Sequence, residues 1–225
     1  VKKYFFIILN TSAVITVGLA EVFFIQICDM KTELEKCLAG EVFNGGDKTL
    51  AAMTLNAKRL LKELNNTDYA DMESKKNILQ QLFGRVGKNI HLDIDFHCEY
   101  GKHIFVGNQV IINMNCTFVD NNIIEIGDNV LIASNVQLYT ATHSTKVYER
   151  IVEDWGKGIG ICKTYALPIK IGNGAWIGGG AIILPGVTIG KNSVIGAGSV
   201  VTHSIPDNCV AVGNPCRVIK HIDNK

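Results

Sequence analysis

His143 is the residue best placed to do chemistry. It closes Leu138-Tyr139-Thr140-Ala141-Thr142-His143, where an ordered pattern stops and an irregular stretch begins. An imidazole titrates near neutrality, so a histidine at a strand end beside a long loop is placed for proton transfer. Position alone favours a structural histidine, held by hydrogen bonds, over a catalytic one. Three further histidines, His91, His97 and His103, are spaced by six residues. That spacing invites the idea of a zinc site, which needs ligand nitrogens about 2.0 Å from one ion. The seven cysteines, Cys28, Cys37, Cys98, Cys116, Cys162, Cys209 and Cys216, are odd in number and contain no C-x-x-C pair. They read as free thiols of a reducing compartment.

The elements that must position these groups announce themselves by a period of six. Ile171, Ile177, Ile183, Ile189, Ile195 and Val201 fall one hexad apart. Gly172, Gly178, Gly190 and Gly196 follow four of them, and Ala175, Ala181, Val187, Ser193 and Ser199 keep the position two before the next aliphatic small or β-branched. Such a period fits neither an amphipathic helix nor an alternating strand. It fits a solenoid in which each hexad is one short strand and one turn, with the aliphatic pointing inward at every corner. Val106, Ile112 and Phe118 form an earlier run, and Ile126, Ile132 and Leu138 another, with a phase shift at Ile124-Glu125-Ile126-Gly127. The β region is expected from about Ile90. Three hexads make one coil, so residues eighteen apart should stack on one face. Residues six apart then lie on successive faces and their side chains diverge. His91, His97 and His103 therefore cannot meet one ion within a single chain, no metal is expected, and they read as surface or interface imidazoles.

The repeat fails between about 142 and 167. This stretch holds Tyr148, Arg150, Asp154, Trp155, Lys157 and Tyr165. A long excursion from a rigid scaffold is usually functional.

Before the solenoid the pattern is helical for about 55 residues from Met30. Leu34 and Leu38 form a first apolar side. Leu50, Met53, Ala57, Leu60, Leu61 and Leu64 form a helical stripe, and Glu73 to Phe83 a second helix with Ile78, Leu79, Leu82 and Phe83 inward. These stripes are expected to cover one end of the solenoid, where bare coils would expose apolar surface. The apolar leader, residues 1–29, stands apart. A signal peptide, a membrane anchor and sequence upstream of a true start at Met30 all fit its composition. Glu21 is costly inside a membrane span, and the start at Met30 is favoured. The parse is thus a leader at 1–29, a helical segment at 30–87 and a solenoid at 88–222.

Composition bounds the rest. The 225 residues are 47% hydrophobic, with 22 glycines, 4 prolines and a net charge of +1. That suits one turn-rich β domain with a modest appendage. No basic excess points to nucleic acid.

Several segments together resemble the maltose and galactoside O-acetyltransferases, most closely the maltose O-acetyltransferases. They are Ala39-Gly40-Glu41, Tyr100-Gly101 with Ile104 and Gly107, Tyr139-Thr140-Ala141-Thr142-His143, Ile171-Gly172-Asn173 with Trp176-Ile177-Gly178-Gly179, Pro185-Gly186-Val187-Thr188-Ile189-Gly190, and Gly213-Asn214-Pro215-Cys216-Arg217. The likeness covers about residues 30–222. It implies a mainly β fold, a left-handed parallel β-helix of hexapeptide repeats with an N-terminal α-helical segment. It further implies a cytoplasmic homotrimer with active sites between subunits, and acetyl-CoA as acetyl donor to a small sugar such as maltose, glucose or a galactoside. His143 matches the general base of direct transfer.

On the acceptor side the likeness implies Asn113, Asp120 and Glu99. The alternative for Asn113 is a stacked asparagine in a solenoid turn. On the donor side it implies Trp176, the backbone at Gly179, Ala197, Thr202, His203 and Arg217. Trp176 reads equally as a packed wall and Arg217 as a cap of the C-terminal segment. His203 stands where relatives usually carry lysine. Cys162-Lys163-Thr164-Tyr165 lacks the glutamate that relatives often have there, which leaves the histidine without an evident acidic partner. A hydroxyl or amine acceptor other than a sugar, a zinc hydratase and a non-catalytic trimeric solenoid are the competing readings.

Overall fold

The computed structural model describes residues 4–8, 14–18, 31–153 and 160–223. Asp154, Trp155 and Lys157 of the excursion, and Cys28, Glu21 and Met30 near the N-terminus, lie outside the described residues. Two compact units result, 1–32 and 33–225. In the first, Tyr4–Ile8 pairs antiparallel with Val14–Gly18. No helix among the described residues is long and apolar enough to cross a membrane.

The second unit is a three-sided parallel β-helix. One side stacks Arg85–Val86, Ile104–Val106, Ile124–Ile126, Ile169–Ile171 and Thr188–Ile189. The next stacks His91–Leu92, Ile111–Ile112, Leu131–Ile132, Trp176–Ile177, Val194–Ile195 and Cys209–Val212, closed by the antiparallel strand Arg217–His221. The third stacks His97–Cys98, Thr117–Val119, Gln137–Tyr139, Ile182–Ile183 and Val200–Val201. Ile177, Ile183, Ile189, Ile195 and Val201 are fully buried. They are the second residues of their strands, so the inward aliphatics sit on the flat sides. The corners belong instead to left-handed turn residues: Asn129, Gly174 and Asn192 stack on one edge, and Asn115, Asn135, Gly180 and Gly198 on another. Asparagine and glycine tolerate positive φ at least cost.

Coil length departs from the expected eighteen residues. Trp176 pairs with Val194 and Ile182 with Val200, which are eighteen-residue steps. In the first coils Ile104 pairs with Ile124, Ile111 with Leu131 and Thr117 with Gln137, which are steps of twenty. The two extra residues enter at the third corner, at Glu99–His103 and again at Asp120–Ile123. That is the physical content of the phase shift at Ile124. The solenoid also begins earlier than Ile90, because Arg85 and Val86 already pair with Phe105 and Val106.

Two helices cover the open end. Asp47 caps Lys48–Asn66 by accepting from the Thr49 and Leu50 N–H groups, and Asp71 caps Met72–Leu82 by accepting from Ser74. Their buried faces, Ala57, Leu60, Leu61, Leu64, Ile78, Leu79 and Leu82, merge with Leu92, Phe96 and Phe118 into one core. Edge-to-face rings of Phe83, Phe96 and Phe118, with centroids 5.6 and 5.1 Å apart, continue the stack inward. The segment before these helices is not uniformly helical. The helix Glu33–Leu38 is followed by the strand Phe43–Asn44, which pairs with the excursion rather than the open end.

Candidate active site

The excursion leaves and rejoins the solenoid as a hairpin. Ala141 pairs with Ala166 and Thr142 with Tyr165, and the returning strand also pairs Lys163 and Thr164 with Asn44 and Phe43. Asn44 Oδ1 accepts from Gly46 at 2.9 Å and from Gly160 at 2.7 Å, which ties the far side of the loop to the same strand. His143 is the first residue beyond the paired strand. Its exposed ring lines a cavity of about 530 Å³ with Val42, Ser144, Thr145, Glu149, Lys163 and Tyr165.

One contact fixes the tautomer. His143 Nδ1 lies 3.0 Å from the Lys163 carbonyl oxygen. A carbonyl only accepts, so Nδ1 carries the proton, and in the neutral ring Nε2 holds the free lone pair. Thr164 Oγ1 stands 3.5 Å from the same Nδ1. A backbone carbonyl and a hydroxyl thus occupy the place of an acidic partner. The carbonyl role leaves no trace in residue type, which is why the sequence did not reveal it. Ser144 and Glu149 also escaped notice, although Arg150 beside them stood out in the break.

The corner carrying His143 also carries Asp120 one coil below and Glu99 two coils below. Glu99 accepts from Thr54 Oγ1 at 3.1 Å and sits 3.6 Å from Lys58 Nζ. Asp120 is fully buried. Its Oδ1 accepts from the Glu99 and Tyr100 N–H groups at 2.9 Å each, and Oδ2 from His103 at 3.3 Å. Burial pushes its carboxyl up to about 7, against those N–H bonds, which pull it down. This corrects the expectation that Asp120 touches an acceptor hydroxyl: its oxygens are enclosed and spent on the turn that presents Glu99. Asn121 is likewise engaged, donating to the Tyr100 hydroxyl at 3.0 Å.

His103 is buried too, with Nδ1 3.0 Å from the carbonyls of both Asp120 and Asn121, and not a surface imidazole. Burial holds it below its ordinary pKa. His91 packs edge-on to Tyr69 on another side, and His97 stands exposed on a third. The three stand apart, on the second side, on the third side and in the corner that follows it. Among the described residues no cluster of His, Cys, Asp and Glu is arranged to hold a metal.

The remaining candidates stand elsewhere. Asn113, Gly179 and Ala197 occupy the neighbouring corner, between the second and third sides. Asn113 Nδ2 donates to the Ile132 carbonyl at 3.0 Å, the stacking bond of a solenoid turn. Gly179 accepts from Gly198 at 2.9 Å one coil above, so Gly179 and Ala197 stack on one edge. Trp176 projects from the side leading to that edge, about half exposed, in register with the exposed Leu131 and Ile111. His203 and Arg217 are brought together in a cavity of about 330 Å³. Arg217 spends one donor on the Cys216 carbonyl at 2.8 Å, and Thr202 Oγ1 is 2.8 Å from His203 Nδ1. Within one chain, then, His143 and Glu99 share one edge, and Asn113, Gly179 and Ala197 share another.

Comparison with known proteins matches this architecture at both ends. Residues 36–87 match the maltose acetyltransferase hexapeptide capping motif, and residues 168–203 match the bacterial transferase hexapeptide (six repeats). The galactoside O-acetyltransferase of Escherichia coli is 39% identical over 191 residues, covering 85% of this chain and 90% of that protein. The crystal structure of a maltose O-acetyltransferase from Clostridium difficile is 48% identical with a TM-score of 0.80, covering 86% of this chain and 99% of the other. A hexapeptide-repeat acetyltransferase from Vibrio cholerae, solved with acetyl coenzyme A, is 37% identical with a TM-score of 0.77, covering 86% and 100%. The chain belongs to the maltose and galactoside O-acetyltransferase family of hexapeptide-repeat acetyltransferases.

Proposed function

We propose that this acetyltransferase moves the acetyl group of acetyl-CoA onto a hydroxyl of a small sugar such as maltose, glucose or a galactoside, with His143 as general base. The observation that carries this reading is the Nδ1–H bond to the Lys163 carbonyl, which commits Nε2 to accepting a proton. A sugar hydroxyl is a weak nucleophile near pH 7. As its oxygen bonds to the thioester carbonyl carbon, its proton passes to Nε2. The tetrahedral intermediate then expels the thiolate, which takes that proton back and leaves as CoA thiol. No acyl-enzyme forms.

The donor fits what the chain offers at Gly179 and Ala197 on one edge, Trp176 on the side leading to it, and Thr202 and His203 at the corner after Val201. Gly179 brings backbone N–H to the carbonyl oxygen without a side chain in the way. Trp176 and Ala197 offer apolar and small surface, and Thr202, His203 and Arg217 present donors to phosphate. Glu99 and Asn113 hold acceptor hydroxyls, with Asp120 fixing the backbone that presents Glu99. Because His143 and Glu99 stand on one edge and Asn113, Gly179 and Ala197 on another, the complete site forms between neighbouring subunits of a homotrimer. The exposed ladder of Ile111, Leu131 and Trp176 supports that assembly.

The test is release of CoA thiol across maltose, glucose, galactosides and amino sugars. His143→Ala is expected to lose about 10²–10⁴-fold in rate, the usual contribution of a general base. Activity unchanged in that variant, with a good acceptor, would overturn the mechanism.

A further inference from the structure

His143 is exposed, and its ring is held from one side only, by the returning strand. What holds its backbone is the residue that follows. Ser144 Oγ donates to Glu149 Oε2 at 2.7 Å and accepts from the Lys146 N–H at 3.2 Å. The Ser144 carbonyl accepts from Arg150 Nη1 at 3.0 Å, and the Thr145 carbonyl lies 3.5 Å from the same nitrogen. Glu149 and Arg150 are adjacent residues of the short helix Val147–Arg150. Four residues do not make a stable helix alone, because a single turn does not offset its nucleation cost. Lys146, at its N-cap position, makes no side-chain cap bond. Beyond the bridge of Ile151 to Cys162 at its far end, the turn depends on the grip of its own side chains on Ser144 and Thr145. Lys146 Nζ, 3.0 Å from Glu149 Oε1, completes that grip. The bonds from Ser144 and Lys146 hold the Glu149 carboxyl below its ordinary range, so it is ionised near neutral pH.

We infer that Glu149 and Arg150 are positioning residues for His143: they clamp Ser144 by its hydroxyl and its carbonyl and so fix where the imidazole stands in the cavity. The inference rests on His143 being the base. Two restraints then act on it from opposite directions, the Lys163 carbonyl on the ring and the Ser144 clamp on the chain. Neither clamp residue needs to touch the reacting atoms. Their effect falls on the rate of the chemical step, because a general base works only within hydrogen-bond reach of the proton it takes.

The test uses Glu149→Ala and Arg150→Met, each with a conservative counterpart, Glu149→Gln and Arg150→Lys. Gln keeps an acceptor oxygen for Ser144, and Lys keeps a donor for its carbonyl. Glu149→Ala and Arg150→Met are expected to lower kcat by about 10- to 100-fold, the scale of a catalytic group misplaced by about 1 Å. The KM for acetyl-CoA should move by less than about twofold, since the clamp lies apart from the donor edge. The conservative variants should recover most of the loss. Wild-type kcat in both Glu149→Ala and Arg150→Met overturns the clamp. So does a matched loss in both conservative variants, or a loss that appears mainly in the KM for acetyl-CoA. His143→Ala, measured alongside, separates the two failures. If it is inactive while the clamp variants are normal, only the clamp is wrong. If it is fully active, the base is wrong and the clamp falls with it.

Discussion

A carboxylate enclosed in a solenoid corner should leave a mark on stability. Asp120 is buried, and burial raises its carboxyl from 3.8 to about 7. Between those values the folded chain holds a proton that the unfolded chain has released. Stability from this group is therefore full below pH 4 and is lost as pH rises toward 7. Asp120→Asn should flatten that slope, so melting temperatures at pH 5 and pH 7.5 should differ less in the variant than in the parent. An equal difference in both would assign the slope elsewhere. At the proposed donor end, Arg217→Ala should raise the KM for acetyl-CoA about tenfold or more, the scale of one charge-assisted hydrogen bond, with a smaller change in kcat. At the level of single residues the sequence was uneven. His143 stood out because it stands where a pattern ends. Asp120 was misread because nothing in residue type tells a carboxylate facing a cleft from one facing backbone N–H groups.

The elements around the site are tied by one buried amide. Asn122 Nδ2 donates to the carbonyls of Cys37 at 2.9 Å, Leu38 at 3.2 Å and Ala166 at 2.8 Å. It thus joins the end of the helix Glu33–Leu38, the extra residues of the third corner and the returning strand of the excursion. Cys37, Phe43, Leu50, Tyr100 and Ala166 pack as a small second core beside it. Asn122→Ala leaves buried carbonyls unpaired, at a cost of about 1–3 kcal/mol. Faster hydrogen exchange is expected at 33–44 and 163–166, with the hexads from Ile171 unaffected. Uniform exchange throughout would show that these elements do not open as a unit. The hexads were readable because each aliphatic fills the same inward position coil after coil. The phase shift was readable as a shift, but its cause was not. Two added residues per coil make room for a polar corner, and only the register of Ile104 with Ile124 shows it. The strand Phe43–Asn44 was invisible for a similar reason: two residues carry no period, and its partner lies more than a hundred positions away.

At the scale of the whole molecule, the edges of the prism set the strongest test. His143 stands on one edge, and Asn113 and Gly179 on the next, with stacked strands between them. A rigid β-helix cannot fold one edge onto another. If both edges serve one reaction, a second subunit must bring its own edge alongside, and a closed ring of three does this once per interface. Complementation decides the matter. His143→Ala and Asn113→Ala are each expected to be nearly inactive as pure proteins. Coexpressed in equal amounts, they should recover roughly a quarter of the wild-type sites, since random assembly in a ring pairs an intact His143 with an intact Asn113 that often. If each site lay within one chain, every chain would carry a lesion and no activity would return. Leu131→Glu gives the companion result, because a charge in the exposed apolar ladder costs its desolvation wherever another subunit covers it. Its sedimentation should be that of smaller species, and its activity should fall although His143 and the Lys163 carbonyl remain in place. A Leu131→Glu protein that stays assembled and active would mean that this side faces solvent, and would move the interface, and with it the second half of the site, to another side of the prism.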